Sequence, residues 1–419
     1  MKTVSSTIEF QRVYQLVLFF LYFTIYSLNY FNSSLVENLS YGMMFVALFM
    51  VMNGTKKQDI NNTYIKWLLC FFLFAVLSCF WALKIKIAFW LLSRLLISWS
   101  VAFFVYFYIK SFDDLYRVLK YFFYSNVVLT FYIIIVVGIS ELGKERVGSS
   151  QLGEGWNSNA IGMSLIFAVN SLFVFWNRIK NKLSKLFYIF LALLMLTLLF
   201  YTGSRKALFL IIAPLGIFYF LNNRKNLFIK IAAISLLLIV VLYLIMNVPS
   251  FYNVMGERIE RAVLQFQAYD GDTKIEGSSF ARIKLIEYGI EWFKEKPLLG
   301  YGVNNYRELS NNTILFAGKN FYAHNNLVEL LVGVGIFGFL IFYWGYMYII
   351  VRSLKERTYY SQLALTLIFV LFFLDFATVS YYSILSNFFI CIAFVLVKLS
   401  SQLSINNKIK IADEESRCD

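Results

Sequence analysis

The chain has 419 residues, 60% of them hydrophobic and 20% aromatic, and only 15% are charged. A soluble protein carries nearer about a quarter charged residues, and 45 Phe with 29 Tyr supply far more apolar surface than a disordered chain holds. The 38 Lys and Arg against 24 Asp and Glu leave a net charge of +14, but they fall in short clusters between apolar runs and build no continuous basic face, so no nucleic-acid partner is expected.

A helix needs roughly 20 apolar residues to cross a bilayer. Such runs begin, in chain order, near Val13, Leu35, Tyr64, Ile87, Val118, Asn157, Leu186, Lys206, Phe228, Asn326, Tyr360 and Tyr381. The first, Val13 to Phe31, is too long for a signal-peptide core and has no small-residue cleavage site after it, so it reads as an uncleaved span. The last two lie close enough together to form one re-entrant element, and the expected count is about twelve. Cys70, Cys79 and Cys391 sit inside apolar runs and Cys418 beside the C-terminus, with no disulfide or metal-ligand spacing.

Alternate loops sort by charge. With the N-terminus inside, the inner segments carry Lys56, Lys57 and Lys66, then Lys110, Arg117 and Lys120, the Arg178 to Lys185 cluster, Arg224, Lys225 and Lys230, and Arg352, Lys355 and Arg357. The short outer loops hold only Lys84, Lys86, Lys144, Arg146, Arg205 and Lys206, so both termini are placed in the cytoplasm. One polar segment, Pro249 to His324, breaks the pattern on the outer side. Phe280, Ile283, Ile290 and Phe293 repeat there at helical spacing and Pro297 closes the run, which predicts a helix lying along the outer surface, capped by Ser278 or Ser279. The expected organisation is transmembrane helices over 1–248, an extracytoplasmic loop over 249–325, further transmembrane helices over 326–398 and a cytoplasmic tail over 399–419.

Few residues stand out as carriers of chemistry. His324, the only histidine, sits in Tyr322-Ala323-His324-Asn325-Asn326 where the outer loop meets the next span; its unperturbed pKa suits proton transfer near neutrality, though an interfacial polar role would also explain it. Arg205, in the turn Thr202-Gly203-Ser204-Arg205, could bind a phosphate bidentately or simply snorkel from a hairpin. Arg146 and Arg282 are further outward cations, each also readable as a solvated charge. Asn157 and Asn159 open a span, where an N-cap is the cheaper explanation. Arg94 is an intramembrane charge and so a functional candidate, with Asp375 as a speculative partner. Asp270-Gly271-Asp272 resembles a metal-holding carboxylate pair but is equally ordinary turn chemistry, and no metal site is expected.

Five motifs in order tie these residues together. Arg146-Val147-Gly148 is followed by Trp156-Asn157-Ser158-Asn159-Ala160, with Ser158 in place of a Pro; then come Thr202-Gly203-Ser204-Arg205-Lys206-Ala207 and Ser279-Phe280-Ala281-Arg282. After them stand Glu295-Lys296-Pro297-Leu298-Leu299-Gly300-Tyr301-Gly302 with Asn305-Tyr306, and His324-Asn325 with Gly335-Ile336-Phe337-Gly338. From Arg146 to Phe342 this series resembles the O-antigen ligase/polymerase superfamily of multi-pass glycosyltransferases. Members often carry Glu where this chain has Gly333, and Glu329, one turn earlier, is the candidate substitute.

The resemblance implies an all-α, polytopic integral membrane protein of the bacterial cytoplasmic membrane, GT-C-like, with one large extracytoplasmic loop containing helices. It implies a metal-independent, inverting glycosyltransferase with no cofactor, polymerising undecaprenyl-diphosphate-linked repeat units into capsular or O-antigen polysaccharide on the outer face. The alternative is a ligase that passes the polymer to another acceptor. A flippase is the rival from another class, but it would place polar residues near the midplane in repeat-related halves, whereas here they crowd the outer face. The implied roles are a diphosphate clamp from Arg205 and Arg282 with Arg146, and proton acceptance or hydroxyl orientation by His324, fixed by Asn325. Asn157, Asn159, Tyr306 and Arg94 are the implied substrate-binding set. Implied partners are the lipid-linked donor and acceptor, membrane lipids, and chain-length regulator and flippase proteins.

Overall fold

A computed structural model describes residues 14–17, 19–21, 24, 34–53, 62–153, 156–222, 226–267 and 277–415. Among them the regular elements are helices. Leaving aside shorter turns, in chain order these are α1 (Ser34–Asn53), α2 (Thr63–Leu77, prolonged by a 3-10 turn at Ser78–Trp81), α3 (Ile85–Tyr108), α4 (Phe112–Val137), α5 (Ser158–Phe175), α6 (Lys182–Thr202), α7 (Arg205–Asn222) and α8 (Leu227–Asn247). There follow α9 (Glu257–Gln267), α10 (Gly277–Glu295), α11 (Tyr306–Asn311), α12 (Asn326–Glu356), α13 (Tyr359–Asp375) and α14 (Ile384–Glu415). Each apolar run after the first coincides with one of them; the first run and Asp270-Gly271-Asp272 lie largely or wholly outside the described residues. Eight helices among the described residues are long and apolar enough to cross a membrane, and Met44–Asn53 and Tyr359–Asp375 are shorter apolar helices. This is the architecture of a polytopic membrane protein.

Side-chain caps fix several helix starts by satisfying N–H groups that have no partner in the first turn. Asn62, Asn157, Asn181 and Asn325 each accept from the backbone just ahead. Ser111 with Asp114 and Thr358 with Ser361 form reciprocal capping boxes at α4 and α13.

The chain divides into two compact units. The first comprises Met1–Asn53 and Tyr108–Thr273. Its centre is α5, which packs on α4, α6 and α7, while Phe228–Asn247 is only 6% buried. The second unit comprises Gly54–Phe107 and Lys274–Asp419. Here α12 is the hub, contacting α2, α10, α13 and α14, and Ile384–Ile405 is 83% buried.

Inside this second unit α12 is broken at Gly335, whose φ of 64° is non-helical. A break of this kind frees backbone groups that must find partners elsewhere. The Pro297-Leu298-Leu299-Gly300-Tyr301 loop supplies them: Ile336 N–H donates to the Pro297 carbonyl (2.8 Å), and Tyr301 N–H donates to the Val332 carbonyl (2.9 Å). A Cβ on Gly335 would overlap the Leu298 carbonyl, and one on Gly300 would press on the Val332 carbonyl oxygen, so both positions need glycine. The same loop is gripped from the 78–87 side, where Leu83 N–H donates to the Tyr301 carbonyl (3.2 Å) and Lys84 N–H to Asn305 Oδ1 (2.7 Å).

The helix expected near 280–293 is α10, beginning at Gly277, so Ser278 and Ser279 fall within its first turn. Leu285 is buried, with Ala281, Tyr288, Trp292 and Phe293 packed beside it, whereas Ile283 and Ile290 remain exposed. Aromatic packing decides this: Tyr288 stacks on Trp292 (5.8 Å between centroids), and Trp292 meets Tyr306 edge-on (5.2 Å).

Candidate functional site

In the first unit, α6 ends at Gly203 in the left-handed conformation (φ 59°) and the chain turns at once into α7, whose first residue is Arg205. The last carbonyls of a helix carry partial negative charge and need donors. Val147 N–H reaches the Tyr201 carbonyl (2.9 Å), Arg146 Nε the Thr202 carbonyl (3.0 Å), and an Arg258 terminal nitrogen the Gly203 carbonyl (2.8 Å). The acids of α9 are engaged elsewhere, Glu257 with Arg261 (3.0 Å) and Glu260 with the Tyr252 hydroxyl (2.7 Å).

Arg205 itself is half-buried, and its guanidinium donates no hydrogen bond among the described residues. A cation at a helix N-terminus is opposed by the helix dipole. An anion held there would relieve that opposition and meet open N–H groups. Arg146, Arg205 and Arg258 therefore converge on one turn whose chemistry suits a phosphate. Asn157, close in sequence to Arg146, accepts from Asn159 N–H (2.9 Å) and Ala160 N–H (3.3 Å), so it is the cap of α5.

In the second unit, His324 holds a left-handed backbone (φ 55°), which is strained for a residue bearing a Cβ. Its ring lies 4.0 Å from that of Tyr322. Tyr322 also faces the Arg307 guanidinium (5.2 Å), whose other neighbour is the Trp90 ring (5.8 Å). Arg307 donates to Asn304 Oδ1 (3.2 Å), the Asn320 carbonyl (3.2 Å) and the Tyr382 hydroxyl (3.3 Å). Glu329 lies 1% exposed behind this group, with one oxygen accepting from Ala323 N–H (2.8 Å) and the other buried without a hydrogen-bond partner.

Burial raises the pKa of Tyr322 against the pull of Arg307 and Arg282, which places Arg282 in the same electrostatic neighbourhood. Burial, with Glu329 adding to it, pushes Tyr382 up to about 12. Both phenols thus keep their protons near neutrality, in a group containing His324, Arg282 and Arg307, and Tyr382 accepts from Arg307.

The other expected residues fall as follows. Arg94 sets its guanidinium over Trp90 (5.4 Å), the ring shared with Arg307, while Asp375 accepts from the Tyr343 hydroxyl (2.9 Å); the proposed Arg94 to Asp375 pair is replaced by these contacts. Asn325 caps α12 through Leu327 and Val328 N–H (3.0 and 3.1 Å) and donates to the Phe376 carbonyl, so its amide holds backbone. Asn326 takes Ser380 and Tyr381 N–H (2.9 and 3.2 Å) and pins the loop between α13 and α14. Tyr306 is fully buried, its hydroxyl donating to the Leu285 carbonyl, which makes it a core residue. Sequence reasoning missed Arg258 and Arg307. The first lies in the charged run Glu257-Arg258-Ile259-Glu260-Arg261 and reads as solvated; the second directly follows the Asn305-Tyr306 motif, the one signal that pointed near it.

The family model described as O-antigen ligase matches residues 190–343. That stretch takes in Arg205, Arg258, Arg282, Arg307, His324 and Glu329, and the match supports the resemblance to the O-antigen ligase/polymerase superfamily. No curated protein is matched by the chain.

Proposed function

We propose that the chain is a repeat-unit polymerase that joins oligosaccharides carried on undecaprenyl diphosphate at the outer face of the bacterial cytoplasmic membrane. The O-antigen ligase match supports a transferase of the ligase/polymerase type. The observation that carries the chemistry is the placing of the only histidine against Tyr322, in a group that also holds Arg307 and the buried Glu329.

In this reading an acceptor sugar hydroxyl attacks the anomeric carbon of the donor. The bond from that carbon to the diphosphate oxygen breaks, the oxygen keeps the electron pair, and the hydroxyl proton passes to His324. Attack from the side opposite the leaving group inverts the anomeric centre. In the second unit Arg282 meets the charge that grows on the diphosphate; in the first, Arg205, on the turn held by Arg146 and Arg258, offers an open fork to a phosphate. Arg307 acts through Tyr322 and Tyr382 as a positioning residue.

Loops poor in Lys and Arg support a reading with this chemistry on the outer face and both termini cytoplasmic, within a GT-C-like arrangement of about twelve spans. The ligase reading is favoured by the description of the matched family. Sizing lipid-linked glycans in a strain lacking the gene separates the two: single units on the carrier follow from a lost polymerase, and long chains on the carrier from a lost ligase. Single units retained on the inner face would point to the flippase and overturn both.

A further inference from the structure

The second unit contains a cavity of about 300 Å³ that the transfer reaction does not use. Its walls include Thr63 and Tyr64 at the start of α2, Tyr106 at the end of α3, Tyr348 and Arg352 on α12, and Lys398 on α14. Arg352 lies near the opposite end of α12 from His324, about 40 Å along the helix at about 1.5 Å per residue, a distance comparable to a bilayer. Two cations line the cavity and no acid does.

The two cations are built in. Lys398 sets its ammonium over the Tyr106 ring (4.9 Å), and Tyr106 stacks on the buried Tyr64 (4.6 Å). Arg352 donates to Ser401 Oγ (2.9 Å) and meets Glu356 at 3.4 Å, while its Nε is buried with no hydrogen-bond partner. Glu356, the nearest acid, already accepts from Ser401 (3.0 Å) and Ser404 (2.8 Å). The N-terminus of α2 adds its positive dipole to the same wall. One step round α12 from Tyr348 and Arg352, Trp344, Met347 and Val351 are about half exposed and form an apolar flank.

We propose that this cavity binds the phosphate group of an anionic phospholipid, with Lys398 and Arg352 on the phosphate and the acyl chains lying along Trp344, Met347 and Val351. Each basic residue near a membrane surface strengthens attraction to anionic lipid by about fivefold. The two cations favour a net-anionic headgroup over a zwitterionic one, and the apolar flank favours a lipid over free phosphate.

Native mass spectrometry of the purified full-length protein tests this, with phosphatidylglycerol, phosphatidylcholine and inorganic phosphate as probes. Wild type should retain phosphatidylglycerol in clear preference to phosphatidylcholine. Lys398→Gln and Arg352→Gln should each cut that retention about fivefold, and Lys398→Arg should restore it. Millimolar inorganic phosphate that strips the lipid would show that the site takes phosphate from either source; lipid that resists it marks the lipid as the occupant. Equal retention of the two lipids by wild type overturns the proposal whether or not the variants fold, and so does undiminished retention in a monodisperse Lys398→Gln protein.

Discussion

At the turn after α6, two arginines give donors to backbone carbonyls and a third keeps its donors uncommitted, whereas beside His324 Arg307 gives its nitrogens to Asn304, Asn320 and Tyr382 and its faces to Trp90 and Tyr322. Both regions are cationic, yet they do different work. A guanidinium with its fork open can take two phosphate oxygens, and one with its fork occupied can offer only charge. Counting arginines therefore does not locate an anion site. Asking which N–H groups remain open does, and it selects Arg205.

Four substitutions sharpen or break this contrast. The largest effect is expected from His324→Ala, which should lower polymer formation by about a thousandfold and leave lipid-linked single units to accumulate; polymer of normal length would remove His324 from the chemistry. Arg205→Lys keeps the charge but loses the fork, and turnover should drop roughly a hundredfold in a vesicle assay with lipid-linked substrate. Near-normal turnover there would end the clamp argument.

Arg307→Lys should cost only about tenfold, because the charge stays near Tyr322 while the ring stacking and the directed bonds are lost. Its loss should fall on kcat with KM little changed, and a purely structural role would show instead as lowered thermal stability with normal kcat. The smallest effect belongs to Arg258→Met. Losing the donor to the Gly203 carbonyl should destabilise the protein by about 1–3 kcal/mol, read as a lower unfolding temperature in detergent. An unchanged transition would show that water replaces the cap at no cost.

Much of the fold was legible because a membrane demands long apolar runs and a helix demands caps. Asn157 could be read as a cap from its place ahead of an apolar run, and it is one. Asn325, in the same kind of position, is a cap as well, although its place beside His324 drew attention to the imidazole first. The spacing of Phe280, Ile283, Ile290 and Phe293 made α10 legible as a helix, but not that the large rings of Tyr288 and Trp292 pack inward beside Phe293. Arg258 and Arg307 were hidden for a different reason. A charge among charges looks solvated until the fold brings a carbonyl or a ring to it, and that neighbour comes from a distant part of the chain.

The break at Gly335 has a consequence for how the protein is made. The peptide groups it opens are closed by residues 297–301, which leave the ribosome before α12 does. The loop is thus already synthesised when its helix arrives, and α12 completes its backbone bonding by docking onto it. Shortening or relocating the 297–302 segment should leave a membrane helix with open peptide groups, a defect visible to the quality-control proteases of the membrane before any sugar is transferred.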